Sequence, residues 1–319
     1  MEGSEEYWKR KYFKLLNKNK KLKEELAKLN NSADKNNSGF SSARTGVSMF
    51  EAFCILGGSE DALSIISQFP SDYELDLGSI GDFAFPGGWR PYQMDLSRSG
   101  TAVYQLMYRS YERDENSFVF AIKSLTTSMV GNPLIPNNDK QLLYGICVID
   151  NEFGNTLDPY TIPVSPKCYC LLSYIPWFEL HFQVIYSVLS IKKAYRLTNN
   201  DNLLEIGGEQ GKLLQEYYQM SILKSHNFCI QLETVDSLDL QIHDISMVDT
   251  EWACSLMFSV LSIDELWGVL CAAMVERNIV FISKNLGVAS SCVLGLQALM
   301  RPFRWCYPCL LYTSDAADE

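Results

Sequence analysis

Histidine is scarce in this chain. There are three among 319 residues, His181, His226 and His243, far apart and without a motif around any of them. That leaves no constellation for an ordinary hydrolase or metalloenzyme. Cys168-Tyr169-Cys170 is a C-x-C pair with no second Cys or His pair at zinc-finger spacing, so no metal is expected. Long apolar runs are missing too. The longest uncharged stretch, 285–300, is shorter than the roughly 18–20 residues a bilayer span needs, and it includes Ser290, Ser291 and Gln297. Gly207-Gly208-Glu209-Gln210-Gly211-Lys212 looks like a phosphate loop only superficially, because the first glycine is misplaced and no Ser or Thr follows the lysine. No catalytic residue, cofactor or metal is therefore assigned.

Positive charge is short everywhere except at the start. Residues 1–40 carry a net +4 and the remainder a net −15. So acidic a body repels phosphate backbones and anionic lipid heads, which argues against nucleic acid as a partner. The opening residues are acidic and polar and do not form a secretory signal. The ten cysteines lie mostly in apolar context (Cys54, Cys147, Cys229, Cys254, Cys271 and Cys292 among them) and read as reduced core thiols of a cytoplasmic protein.

What is present falls into zones. Residues 1–29 read as a helix whose Trp8, Tyr12, Leu15, Asn19, Leu22, Leu26 and Leu29 alternate at spacings of four and three. That is a heptad seam for a short coiled coil and a homodimer through residues 8–29, with Asn19 as the register-setting polar residue. Residues 30–46 are rich in Asn, Ser and Gly and read as a flexible linker. Within 47–165, residues 47–55 look like a buried strand, and 117–125 and 142–149 like the two strands of a long hairpin. Residues 82–91 form a Gly/Pro break that needs glycine's freedom at positive φ.

From 166 to 308 the pattern turns helical. Residues 178–197 have helical period just after Pro176. Ser262 and Glu265 form a capping box ahead of a helix that places Leu266, Val269, Leu270, Ala273 and Met274 on one face. Ile279-Val280-Phe281-Ile282 reads as a strand covered on both faces, and 286–300 as a largely buried helix. Helix, strand and helix in that order predict an α/β layer.

These segments carry a resemblance to the DENN family. Asp264–Leu270, then Glu276-Arg277-Asn278-Ile279-Val280-Phe281-Ile282-Ser283, then Ala298-Leu299-Met300-Arg301-Pro302-Phe303-Arg304-Trp305 resemble its central module. Phe83-Ala84-Phe85-Pro86-Gly87-Gly88, Ser117–Phe120 and Leu143–Cys147 resemble its upstream module, and Tyr169–Phe178 the joint between the two. The resemblance implies an α+β, longin-like upstream lobe over 47–165 and an α/β central lobe over 166–308. It also implies guanine nucleotide exchange on a Rab-family small GTPase in membrane trafficking, with any vesicle or endosomal membrane reached through partners. Other members are non-catalytic scaffolds or adaptors, and that reading stays open.

The family-signature residues Phe85, Pro86, Gly87, Gly88, Ser173, Pro176, Glu276 and Arg277 are the candidate GTPase contacts. Each also has a structural reading: Pro86–Gly88 as loop-shaping, Ser173 and Pro176 as orienting the following helix, and Glu276 and Arg277 as marking a helix-to-strand turn. Pro302, Phe303 and Trp305 read as core and turn residues. Residues 309–319 resemble translated sequencing-adapter sequence. The expectation is a truncated central lobe, with its last strand and a downstream helical module beyond the given chain.

Overall fold

A computed structural model of the chain describes residues 48–59, 62–95, 116–123, 142–154, 160–197, 208–220, 227–233, 235–241 and 248–303, with residues 206, 305 and 309. The chain divides into two units, 1–45 and 46–319, and all described residues belong to the second. The proposed seam, Trp8 to Leu29, lies outside the described residues.

The strands are β1 (Ala52–Ser59), β2 (Ala62–Phe69), β3 (Tyr92–Asp95), β4 (Ser117–Lys123), β5 (Leu142–Phe153), β6 (Thr161–Ser173), β7 (Asn227–Ile230) and β8 (Leu238–Gln241). The helices are α1 (Leu77–Ala84), α2 (Phe178–Leu197), α3 (Gly208–Gln219), α4 (Val248–Val260), α5 (Ile263–Met274) and α6 (Leu286–Leu299). The first six strands form one sheet in the order β2-β1-β6-β5-β4, with β3 also paired to β6. Every pairing in it is antiparallel. Mixed helices around an antiparallel sheet agree with the expected α/β class.

Side-chain alternation explains why the sheet is covered on both faces. Along β1, Phe53 and Ile55 join one apolar cluster, while Ala52, Cys54 and Leu56 join another. Successive side chains of a strand point to opposite faces, so a run that is apolar at every position needs a cover on each side. One cover is α2, which buries Phe178, Phe182, Ile185, Val188 and Leu189 against Phe53, Tyr169 and Leu171. The other is α1 with the turn after it, which packs Ile80, Ala84, Phe85 and Trp89 against Cys54, Cys147, Cys170 and Leu172. Burial of each such side chain contributes on the order of 1.5–3 kcal/mol.

The sheet's β4 edge is closed by α6. The Ser290 hydroxyl accepts from Val119 N–H at 3.3 Å, occupying an edge amide that would otherwise offer itself to another strand. Gly287 allows this approach, because a Cβ there would lie 2.1 Å from the Ser117 carbonyl oxygen. Gly295 does the same for α4: its missing Cβ faces Met257 and the Ala253 carbonyl at 3.0–3.2 Å.

Several expectations change. The strand starting at residue 47 begins at Ala52; Met49, Phe50 and Glu51 are buried but lie before the ladder. The break at 82–91 starts later, because Asp82, Phe83 and Ala84 close α1; the turn itself follows, with Gly88 at φ +75°. The hairpin forms as expected, though β5 runs on to Phe153. The boundary at 165/166 falls inside β6.

The largest departure is at 279–282. Among the described residues this run belongs to no sheet, and Val280 and Ile282 are 79% and 92% exposed. The run packs against the α6 cluster through Ile279 and Phe281. A continuous apolar sequence signals two covered faces only where neighbouring strands exist. Phe303, read with Pro302 and Trp305 as a core and turn residue, lies in the turn after α6, its N–H donating to Met300 O at 2.8 Å, with its ring exposed.

Candidate functional site

The signature residues do not converge on one site. Phe85 is buried in the cluster under α1, with Pro86 half-covered and Gly87 and Gly88 exposed in the turn beyond it. Ser173 lies on the opposite side of the sheet's logic, at the end of β6. Its hydroxyl donates to the Met49 carbonyl at 2.8 Å and accepts from Ile175 N–H at 3.0 Å. It is fully buried and fastens the strand-to-helix joint, while Pro176 sits half-buried two residues before α2. Glu276 and Arg277 are exposed, after α5.

The region around Glu276 is the part of the described surface with interface character. The capping box starts α5 as expected: Ser262 Oγ accepts from Glu265 N–H at 3.4 Å, and the Glu265 carboxylate accepts from Ser262 N–H at 2.8 Å. The Ser262 hydroxyl, which donates to the same carboxylate at 2.7 Å, and the Ser262 N–H lower the Glu265 pKa. The helix ends in a two-bond lock, with Glu276 N–H donating to Ala273 O and Arg277 N–H to Ala272 O, each at 3.0 Å. This is the Schellman arrangement, and its left-handed position is normally taken by Gly or Asn. Here it is Glu276, at φ +59°. A side chain held in that conformation costs about 1–2 kcal/mol. Strain of this kind is tolerated most often where a side chain is needed for contact.

Only Ala273 of α5 is buried. Val269, Leu270 and Ala273 rest against Leu296, Met300, Ile279, Phe281 and Trp305. At 100° per residue, Ile263, Trp267, Leu270 and Met274 form a second stripe beside that contact. Ile263 and Trp267 are 85% and 67% exposed, and Met274 and Val275 are also open. A helix apolar over this wide an arc is ordinarily covered on more than one side. An open Trp beside aliphatic residues has the makeup of a protein-interface anchor. The sequence period showed Val269, Leu270 and Ala273 of the covered stripe of α5, but it put Met274 on the same face, and Met274 is open. It did not show that the adjacent one stays uncovered, because exposure depends on what lies across from it.

Other polar clusters serve the core. His181 is fully buried in α2, with Ile175 O at 3.0 Å from Nε2 and Tyr217 Oη at 2.8 Å from Nδ1. Burial lowers its pKa to about 4. Glu152 accepts from both Lys167 and Lys192, and Tyr169 Oη contacts Lys192 Nζ. Burial pulls the Glu152 pKa up, but the two ammonium groups outweigh it and leave the carboxyl below its ordinary value. Cys54 and Cys147 stand across from Cys170 on the two strands beside it, with Cys168 nearby, all buried and reduced. Cys229 and Cys271, by contrast, are exposed rather than in the core. Among the described residues, no group of His, Cys, Asp and Glu is arranged to hold a metal, and no helix is long and apolar enough to cross a membrane.

The family model described as DENN (AEX-3) domain matches residues 164–310, from β6 through α6. Over that stretch the chain is similar to the DENN family. Human DENN domain-containing protein 1A is 24% identical over 200 residues, which cover 59% of this chain and 17% of that protein. The mouse protein of the same name is 23% identical over 199 residues. Human DENN domain-containing protein 1B is 20% identical over 211 residues, 24% of its length. The match thus spans about a fifth of these relatives.

Proposed function

We propose that this chain is a guanine nucleotide exchange factor for a Rab-family small GTPase, acting in the cytoplasm and reaching vesicle or endosomal membranes through its partner. In this reading 47–165 is the upstream, longin-like module and 166–308 the central module. The observation that carries the reading is the open stripe Ile263–Trp267–Met274 beside the strained Glu276 and the exposed Arg277, within the segment that matches the family.

Exchange needs no nucleophile and no metal. It needs tighter binding to the emptied GTPase than to the GDP-loaded one, because only differential affinity moves an equilibrium. A roughly 10⁴-fold faster release of GDP corresponds to about 5.5 kcal/mol of barrier lowering. An interface of about 1,600 Å² with a few aromatic and Arg anchors is enough to supply it.

The test is GDP release from a Rab panel with a fluorescent nucleotide, comparing the chain with Trp267→Ala and Glu276→Gly. The expected result is accelerated release from at least one Rab, reduced tenfold or more by Trp267→Ala. Glu276→Gly relieves left-handed strain, so it should raise the melting temperature while slowing exchange. A variant that is both more stable and fully active removes Glu276 from the contact. Binding without acceleration across the panel supports the scaffold reading instead.

A further inference from the structure

We infer that Cys54, Cys170 and Cys147 form a redox-modification site, in which hydrogen peroxide joins Cys170 to one neighbour as a cross-strand disulfide that can pass between β1 and β5. Nucleotide exchange plays no part in it. Register places the three residues in a row: Cys170 of β6 is directly opposite Cys54 on one side and Cys147 on the other. With Cys168, all of them belong to the cluster on the α1 side of the sheet, so they share a face. Directly opposed residues of an antiparallel pair have Cα atoms about 4.5–5.5 Å apart, inside the roughly 4.4–6.8 Å that a disulfide spans. Cys54 and Cys147 are two strands apart, about 9.5 Å, which is out of range. Cys168 is opposite Leu56 and Ile149, hence diagonal to Cys54 and Cys147, and diagonal neighbours lie about 7–8 Å apart. Every bond that this sheet allows within the cluster therefore contains Cys170.

The middle of the row is also its nucleophile. Bonds from Cys147 and Cys54 lower the Cys170 pKa against the effect of burial, whereas burial raises Cys147 and the bond to Cys170 raises Cys54. The thiolate is the reactive form of cysteine. The Cys170 sulfur attacks one peroxide oxygen, the O–O bond breaks, and the departing hydroxide takes a proton and leaves as water. The sulfur of Cys147 or Cys54 then attacks the sulfenic sulfur, and the second oxygen departs as water with the remaining thiol proton. Two thiols have lost two electrons, and one peroxide has become two waters. The third thiol stands on the far side of Cys170 from the new bond. Its attack on the Cys170 sulfur releases the first partner as a thiolate, which takes up the proton, so the bond moves from one strand to the other. All four sulfurs are at 0% exposure beneath α1. That cover is eight residues long and has no side-chain cap bond at its N-terminus. Elements this short open locally without unfolding the whole domain, and such opening admits the oxidant.

The experiment treats the folded full chain with hydrogen peroxide, blocks the remaining thiols with iodoacetamide and maps linked peptides by mass spectrometry. The exposed Cys229 and Cys271 serve as internal references for oxidation. The expected product is one bond in the cluster, Cys147–Cys170 or Cys54–Cys170, that dithiothreitol returns to thiols. Cys54→Ala should keep the Cys147–Cys170 bond and Cys147→Ala the Cys54–Cys170 bond, while Cys170→Ala should lower the total yield of linked peptides from the cluster at least tenfold. Oxidation in urea, where register is gone, should lose the preference for Cys170. Circular dichroism checks that the variants fold, and the wild-type map decides by itself if one does not. A wild-type Cys54–Cys147 bond, or one from either residue to Cys168, overturns the inference. So does a cluster that stays reduced while Cys229 and Cys271 oxidise, a Cys170 recovered as sulfinic acid without any bond, or the same pairing preference in urea.

Discussion

His181 Nδ1 and Tyr217 Oη lie 2.8 Å apart inside the core, joining α2 to α3. The Ile175 carbonyl can only accept, so Nε2 carries the proton and Nδ1 receives the Tyr217 hydroxyl. The imidazole is neutral, and burial holds its pKa at about 4 against an ordinary 6.5. The unfolded chain therefore binds more protons than the folded one between those values. Stability is full above the higher value and falls as pH drops through the window, by about 3 kcal/mol in all. His181→Gln should flatten urea midpoints between pH 6.5 and 4, whereas Tyr217→Phe should lower stability by roughly 1–2 kcal/mol without removing the slope. An unchanged slope in the glutamine variant would show that another group titrates there.

Glu152 sits between Lys167 and Lys192, and its lowered pKa gives the opposite origin for an acid effect. A carboxylate stabilised when folded contributes above its unfolded pKa, and that contribution is lost as pH falls through the folded value. Glu152→Gln leaves two ammonium groups facing an uncharged amide, so a loss of roughly 3 kcal/mol is expected at neutral pH. Replacing Lys192 with Met in the same chain should recover part of it. Denaturation of single and double variants measures both, and an additive result would remove the coupling.

Two glycines should respond differently for steric reasons. Gly287→Ala drives a methyl into the Ser117 carbonyl where α6 closes the sheet edge, so a loss of about 1–3 kcal/mol or more is expected. Gly88→Ala meets no atom but must hold φ +75°, which costs about 1–2 kcal/mol. Gly87→Ala, also in open space and without positive φ, is the neutral control. Equal melting temperatures for the Gly87 and Gly88 variants would contradict the turn's conformation.

Much of this architecture was legible before any coordinates, where a local rule governs it. The α2 span agrees with its sequence pattern to the residue, and the Ser262–Glu265 box forms because both partners lie within one turn. The 82–91 break was marked by its need for a glycine at positive φ, which falls on Gly88. Local chemistry is silent elsewhere. The strand β2 and helix α1 carry mixed patterns, and their half-buried faces depend on β1 and the sheet beneath them. Ile279–Ile282 reads as buried from composition alone, yet composition does not say whether a neighbouring strand is there. The same gap separates the two stripes of α5, both apolar and only one covered. Nothing in a single sequence marks Glu276 as left-handed, since the signal is an unusual residue where Gly would be ordinary.

The long strand β6 limits how this molecule can be rearranged. It pairs with β1, β3 and β5 at once, and its last residues lead straight into the segment that packs as α2. Grafting the later half of a relative onto the earlier half of this chain at 165/166 would swap the part of β6 that pairs with β1 and most of β5, mismatching register on two neighbours together while leaving the β3 pairing at Thr161–Val164 as it is. A chimera spliced after Ser173 keeps all three pairings intact and moves only the helical part, so recombination between family members should be tolerated there and fail a few residues earlier.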